Sequence, residues 1–150
     1  MELSIRDFKR EDQTEVRALI LDGLGEHFGF VDYTMNPDID DIWSNYVAAG
    51  NKFFVAEMEG RIVGTAALLE QASYTGRIVR MSVDIGMRRL GIGRRLMEAV
   101  KSEANRRGYT ELVLSTEVGW DAAIGLYRSC GFIETGRDEV DVHMVMYMGE

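Results

Sequence analysis

One cysteine (Cys130), one proline (Pro37) and two histidines (His27 and His143) are all that 150 residues contain of these types. A single cysteine excludes a disulfide framework within the chain, and two isolated histidines offer no metal-ligand spacing, so neither a cross-linked scaffold nor a metal centre is expected. The Pro-, Gly- or Ser-rich stretches that mark linkers are missing as well, which implies one domain (residues 1–150) burying roughly 70% of its unfolded surface. No run reaches the ~18 apolar residues of a membrane span, and the first residues, Met1 to Asp7, lack the apolar core of a signal peptide. The expectation is a cytoplasmic protein. Positive charge is scarce too. With 17 Lys and Arg against 25 Asp and Glu, the chain carries net −8, which argues against nucleic acid or an anionic membrane as partner and leaves room for a cationic amine.

That scarce positive charge is unevenly placed. Between Arg77 and Arg107 nine basic residues meet three acids, a local +6, so the remainder carries −14. At the centre of this island, Arg88-Arg89-Leu90-Gly91-Ile92-Gly93-Arg94-Arg95 follows a strand-like run, Ile78 to Val83, and opens a helix-like one, Ile92 to Arg107. Gly91 and Gly93 lack side chains, so an anion can approach the backbone, where the free N–H groups and positive dipole end of the helix face it. The stretch is suited to hold a phosphate. It is neither a Gly-x-x-x-x-Gly-Lys-Ser/Thr loop nor a full Gly-x-Gly-x-x-Gly, whose last position is Leu96 here.

Periodicity gives the remaining elements. Leu3, Ile5 and Phe8 read as a first strand, and Asp12 with Glu15 as a capping-box start for a helix to about Leu24. A second helix is expected from Asp38, behind Pro37, to Ala49, with Ile39, Ile42, Trp43, Tyr46 and Val47 at helical spacing and Gly50 as its stop. Lys52 to Met58 and Arg61 to Leu69, joined by Glu59-Gly60, form the clearest hairpin. Glu111 to Ser115 reads as the next strand, Asp121 to Cys130 as a short helix, and Phe132 to Glu139 and Val142 to Tyr147 as two closing strands. This order predicts an α/β (mixed α+β) domain with a mixed sheet and helices on its faces, its ligand near the carboxyl end of the strand before the glycine turn. On the last strand, Val142, Met144, Met146 and Met148 suit either a homodimer face or ordinary core.

A second motif lies downstream: Ala123-Ile124-Gly125-Leu126-Tyr127-Arg128-Ser129-Cys130-Gly131-Phe132. Together with Met81-Ser82-Val83-Asp84 and Arg88-x-x-Gly91-x-Gly93, it resembles the GNAT superfamily of acetyl-CoA-dependent N-acetyltransferases, and the element order matches over essentially the full chain. The resemblance implies a single GNAT-like domain with a central, mostly antiparallel sheet, helices on both faces and a splay between the fourth and fifth strands. It implies acetyl-CoA as cosubstrate and no metal. The pyrophosphate would lie on the N–H groups of Arg89, Leu90, Gly91, Ile92, Gly93 and Arg94, with side-chain contacts from Arg88 and Arg94. The pantetheine arm would run strand-like beside Met81, Ser82 and Val83, which requires that strand to part from Leu112 to Ser115. One departure is Trp120, where the family often has Asn; Asp121 is left as the alternative helix cap.

Acyl transfer to an amine needs a neutral nucleophile, whereas a lysine-like amine has a pKa of about 10.4, so a base or a water chain is required. Glu26, Glu70, Asp84 and Glu117 are the candidates. Glu117 comes first because it lies just beyond a strand end beside the expected splay. The departing thiolate needs a proton, and the family commonly places a tyrosine in that role at the position of Tyr127. For the acceptor, the resemblance points to the loop from Glu26 to Tyr33, where Glu26 could attract a cation and Phe28, Phe30 and Tyr33 could enclose its body. The implied activity is acetyl transfer to a primary amine of a small molecule. The alternatives are a peptide or protein amino group as acceptor, or a non-catalytic acyl-CoA sensor.

Overall fold

The computed structural model describes residues 2–28 and 36–149, with the side chains of His27 and Phe28 left out. Seven strands form one sheet: β1 (Leu3–Asp7), β2 (Lys52–Met58), β3 (Arg61–Ala72), β4 (Thr75–Val83), β5 (Glu111–Glu117), β6 (Ile133–Arg137) and β7 (Asp141–Tyr147). Their spatial order is β1-β2-β3-β4-β5-β7-β6. Every neighbouring pair is antiparallel except β4 and β5, which run parallel and pair only at Thr75–Glu111, Gly76–Leu112 and Arg77–Val113. Beyond Arg77 the two strands separate, as the resemblance requires.

Among the described residues three α-helices accompany the sheet: α1 (Gln13–Phe28), α2 (Ile92–Arg106) and α3 (Asp121–Ser129). Alternation along the strands decides which face each one covers. On β2, Phe54 and Ala56 join Leu68, Leu96, Val100, Leu112, Ile124 and Met144 in a core beneath α2 and α3. Phe53 and Val55 point the other way, into a second core with Val16 and Ile20 of α1 and with Ile39, Ile42 and Tyr46. Helices therefore lie on both faces. Among the described residues, no helix is long and apolar enough to cross a membrane.

The Glu59-Gly60 hairpin forms as expected, both residues taking positive φ (52° and 77°), which a two-residue primed turn requires. Several details differ. The helix expected over 38–49 is replaced by a 3-10 turn at Pro37–Asp40 and a π-helical turn at Trp43–Val47. The break between them is bridged by Gln13, whose amide donates to the Ile39 and Asp40 carbonyls (2.8 and 3.2 Å) and whose oxygen accepts from the Ile42 N–H (2.9 Å). Asp12 and Glu15 do not form a capping box. Asp12 instead takes the Lys9 N–H (2.8 Å) and the Arg6 guanidinium (2.8 and 3.0 Å), while Glu15 accepts the Ile62 N–H (2.9 Å) and ties α1 to β3. On β7, Val142, Met144 and Met146 are buried in the core beneath α2 and α3, so these three present no face for a dimer.

Candidate functional site

The parting of β4 from β5 opens a cleft of about 800 Å³ between α1, the exposed side of β4, the start of α2, the end of β5 and α3. From Ile78 to Val83, β4 keeps its pairing with β3 but, among the described residues, has no strand on its other side, so that backbone edge faces the cleft. Within this stretch the β3–β4 register shifts between Thr65 and Ala67, and Arg80 takes a left-handed conformation with φ of 55°. The Arg80 carbonyl accepts from the fully buried Thr65 hydroxyl at 2.8 Å, which holds the bulge in place. The side chains of Met81, Ser82 and Val83 line the same wall.

At the far end of β4 the chain passes through a 3-10 turn at Ile85–Met87, capped by the Asp84 carboxylate accepting from the Gly86 N–H (2.9 Å), and enters α2. Gly91 is the N-cap residue of α2, with φ of 81°, and no side chain caps the helix. Among the described residues no acceptor meets the N–H groups of Arg89, Leu90, Gly91, Ile92, Gly93 or Arg94. This is a row of donors at the positive end of a 15-residue helix, and all of these residues but Leu90 line the cleft.

The two glycines of the turn do different work. A β-carbon on Gly91 would meet nothing within 4 Å, so that position stays open toward solvent and ligand, and its positive φ favours glycine. A β-carbon on Gly93 would sit 2.8 Å from Leu126 Cδ2, so that glycine lets α2 pack against α3. Gly93 thus serves packing through its missing side chain, while its N–H remains in the donor row. The arginine side chains are also occupied: Arg88 pairs with Glu26 of α1, and Arg94 donates to Ser129 Oγ at 2.8 Å. Leu90 is exposed, and Ile92 is buried beneath α2.

On the opposite wall, Tyr127 projects from α3 and packs edge-on against Phe132, ring centroids 6.0 Å apart. Only 7% of Tyr127 is exposed, yet its hydroxyl has no hydrogen-bond partner among the described residues. No fully buried side-chain oxygen there lacks a partner, so this hydroxyl meets the open cleft that the residue lines. Burial, helped by the neighbouring Cys130, pushes the phenol above its ordinary value. Trp120 also lines the cleft and leads into α3, which has no side-chain cap, so Asp121 does not serve as one.

Of the four carboxylates considered as base, Glu117 lines the cleft, at the end of β5 directly opposite Asp141 of β7, which lines it too. Glu70 is exposed where β3 pairs with Gly76, Asp84 is the cap described above, and Glu26 is engaged by Arg88. Phe30 and Tyr33 lie outside the described residues, as does the side chain of Phe28. Sequence reasoning passed over Arg80 and Asp141. For Arg80 the one signal was a charged residue inside the apolar run from Ile78 to Val83.

The sequence model of the acetyltransferase (GNAT) family matches residues 11–132. The chain belongs to this family. Human N-acetyltransferase 8B is 35% identical over 132 residues, covering 79% of this chain and 58% of that protein. The chain spans about half the length of the curated relatives it matches. Among solved structures, a GNAT-family acetyltransferase from Staphylococcus aureus Mu50 has a TM-score of 0.88 at 24% identity, covering 99% of this chain and 100% of that one. PaiA N-acetyltransferase from Thermoplasma acidophilum, solved in complex with coenzyme A, has a TM-score of 0.86 at 15% identity, covering 98% and 99%. These two likenesses concern the fold. The mixed sheet with its parted, parallel β4–β5 pair is the fold that these structures share with this chain.

Proposed function

We propose that the protein is an acetyl-CoA-dependent N-acetyltransferase whose acceptor is a primary amine of a small molecule. The observation that carries this reading is the row of N–H groups from Arg89 to Arg94 that meet no acceptor among the described residues, beside the same cleft as the β4 edge that no described strand pairs with and the Tyr127 hydroxyl. The donor row fits a diphosphate, since six amides at a helix start supply hydrogen bonds and positive potential together. The β4 edge from Ile78 to Val83 fits an arm that offers amide groups of its own to a strand.

Acetyl-CoA supplies the activated acetyl thioester; the protein orients it and manages protons. Tyr127 holds its proton at neutral pH, and burial strengthens that hold, so the phenol acts as donor only toward a group whose basicity the dry wall raises as well. The same low polarity disfavours a free thiolate, which brings the two groups closer in proton affinity. Glu117, with Asp141 opposite, offers negative charge at the cleft mouth, where an ammonium can dock and lose its proton to the Glu117 carboxylate.

The test is amine-dependent release of free thiol from acetyl-CoA across a panel of small primary amines and short peptides with free amino termini. Release with small amines supports the reading. Release with peptides alone moves the acceptor to the peptide class, and tight coenzyme A binding with no release from any amine marks a sensor.

A further inference from the structure

A protonated amine gives up two protons on becoming an amide: one before its nitrogen attacks the thioester, and one after the new C–N bond has made that nitrogen positive again. On the reading above, Glu117 takes the first. The second needs an acceptor of its own beside the same nitrogen. Ser115 lies on the same face of β5 as Glu117, two residues before it, and both line the cleft. It is also two residues past Val113, where the pairing of β5 with β4 ends. Directly across on β7 stands His143, its Nδ1 2.8 Å from the Ser115 hydroxyl oxygen. On the far side of the ring, Asp138 Oδ2 lies 3.6 Å from Nε2.

The other carboxylate oxygen of Asp138 accepts the Asp141 and Val140 N–H groups at 2.7 and 2.8 Å, which fixes it in the turn between β6 and β7. Those two N–H groups, and His143 after them, hold the Asp138 carboxyl below its usual range, so it is charged at neutral pH. A gap of 3.6 Å is too long for a full hydrogen bond, yet a charge at that distance favours a proton on the nitrogen facing it. With Nε2 protonated, Nδ1 is the acceptor and the Ser115 hydroxyl donates to it, so the serine oxygen keeps lone pairs for an incoming N–H. Among the described residues, the charged groups that strand register brings to this face of the ring are acidic: Glu117 on β5 and Asp141 on β7, besides Asp138. Glu134 and Arg137 of β6 stand opposite Met144 and Val142 on the other face, where they pair with each other at 2.9 Å.

We propose that Ser115 and His143 form a relay that carries the second proton from the acceptor nitrogen to solvent. The N–H bond at that nitrogen breaks as an O–H bond forms at Ser115, while the serine's own O–H bond breaks as an N–H bond forms at His143 Nδ1. The imidazolium, 46% exposed, then gives one proton to water, and exchange with water restores the starting tautomer. Ser115 meets the nitrogen and is the catalytic member; His143 acts through it. This rests on the acetyltransferase reading above.

His143→Asn keeps an oxygen to accept from the Ser115 hydroxyl but takes up no proton. Because His143 does not line the cleft, this variant should bind coenzyme A within twofold of wild type. With the amine that releases most thiol in the panel, its kcat should fall at least tenfold while KM for that amine stays within threefold. Ser115→Ala should lose as much kcat, and the double variant no more than a further twofold, because the two residues work as one unit. His143→Ala opens a space that added imidazole can enter from solvent, which should raise kcat at least fivefold, and the gain should grow with pH as the added base becomes neutral. Nitrogen NMR of the two histidine rings, with the His143 signals identified by their loss in His143→Asn, should show the resting proton on Nε2. A His143→Asn kcat within twofold of wild type, losses that multiply in the double variant, no rescue by imidazole, or a resting proton on Nδ1 overturns the proposal. Absence of amine-dependent thiol release from the wild-type protein would instead sink the acetyltransferase reading, and this inference with it.

Discussion

A methyl group added at each glycine of the Arg89–Arg94 turn should injure the protein in a different way. At Gly91 there is room for the methyl but not for the backbone, since φ is 81° and an L-residue there costs about 1–2 kcal/mol. If Gly91→Ala relieves that strain by relaxing the turn, the amides stop converging. Losing one hydrogen bond to a charged ligand is worth about 1.5–3 kcal/mol. Coenzyme A should then bind at least ~10-fold more weakly. At Gly93 the backbone is helical, but the new β-carbon would sit 2.8 Å from Leu126 Cδ2. Overpacking costs about 1–3 kcal/mol, and replacing glycine with alanine within a helix returns about 1 kcal/mol. A net loss of up to about 2 kcal/mol shifts the thermal midpoint by no more than about 8 °C in a domain of this size. Adding Leu126→Ala removes the clash, so urea unfolding of the two single variants and the double should reveal a coupling of at least ~1 kcal/mol. Strictly additive losses would refute the packing account. Equal loss of coenzyme A affinity at both positions, with stability untouched at Gly93, would refute the division of labour between the glycines.

Tyr127→Phe keeps the ring against Phe132 and deletes one oxygen, so turnover should fall at least ~10-fold while coenzyme A affinity stays within twofold; unchanged turnover would remove the proton-donor assignment. Glu117→Gln should abolish the acidic limb of the pH–rate profile, and a profile that keeps this limb would exclude Glu117 as base. Burial works to raise the Asp12 carboxyl, but the Arg6 guanidinium and the Lys9 N–H outweigh it and hold it below the usual carboxylate range. The stabilisation is thus fully present above the unfolded value of about 3.9 and is lost as pH falls through the lowered folded value. Asp12→Asn should therefore flatten the acid side of a stability-versus-pH curve below about pH 4, and an unaltered curve would show that another group governs that range.

Much of the fold could be read from local pattern. The amphipathic run of α2, the Glu59-Gly60 turn and the alternation of β2 are short-range signals, and each appears where its residues dictate. The parting of β4 from β5 after Arg77 followed from the family resemblance. What escaped depends on residues distant in sequence. The 38–49 helix gives way because Gln13, 26 residues before Ile39, supplies bonds that a continuous helix would have made for itself. Glu15 is drawn to Ile62 across 47 positions. The Arg80 bulge is held by the Thr65 hydroxyl from the neighbouring strand, and the packing role of Gly93 comes from Leu126, 33 residues further on. For the same reason, the identity of Val142, Met144 and Met146 could not tell core from interface.

Among the described residues, β5, β7 and β6 join the other four strands through a register of three residue pairs between β4 and β5. A ligand lodged along the unstitched length, as proposed, would take over the part of a missing rib, bracing two halves of the sheet that the chain itself joins over a short seam. Ligand at 100 times its Kd adds about 2.7 kcal/mol to folding. The rigidity of this protein then becomes a gauge of how much ligand surrounds it.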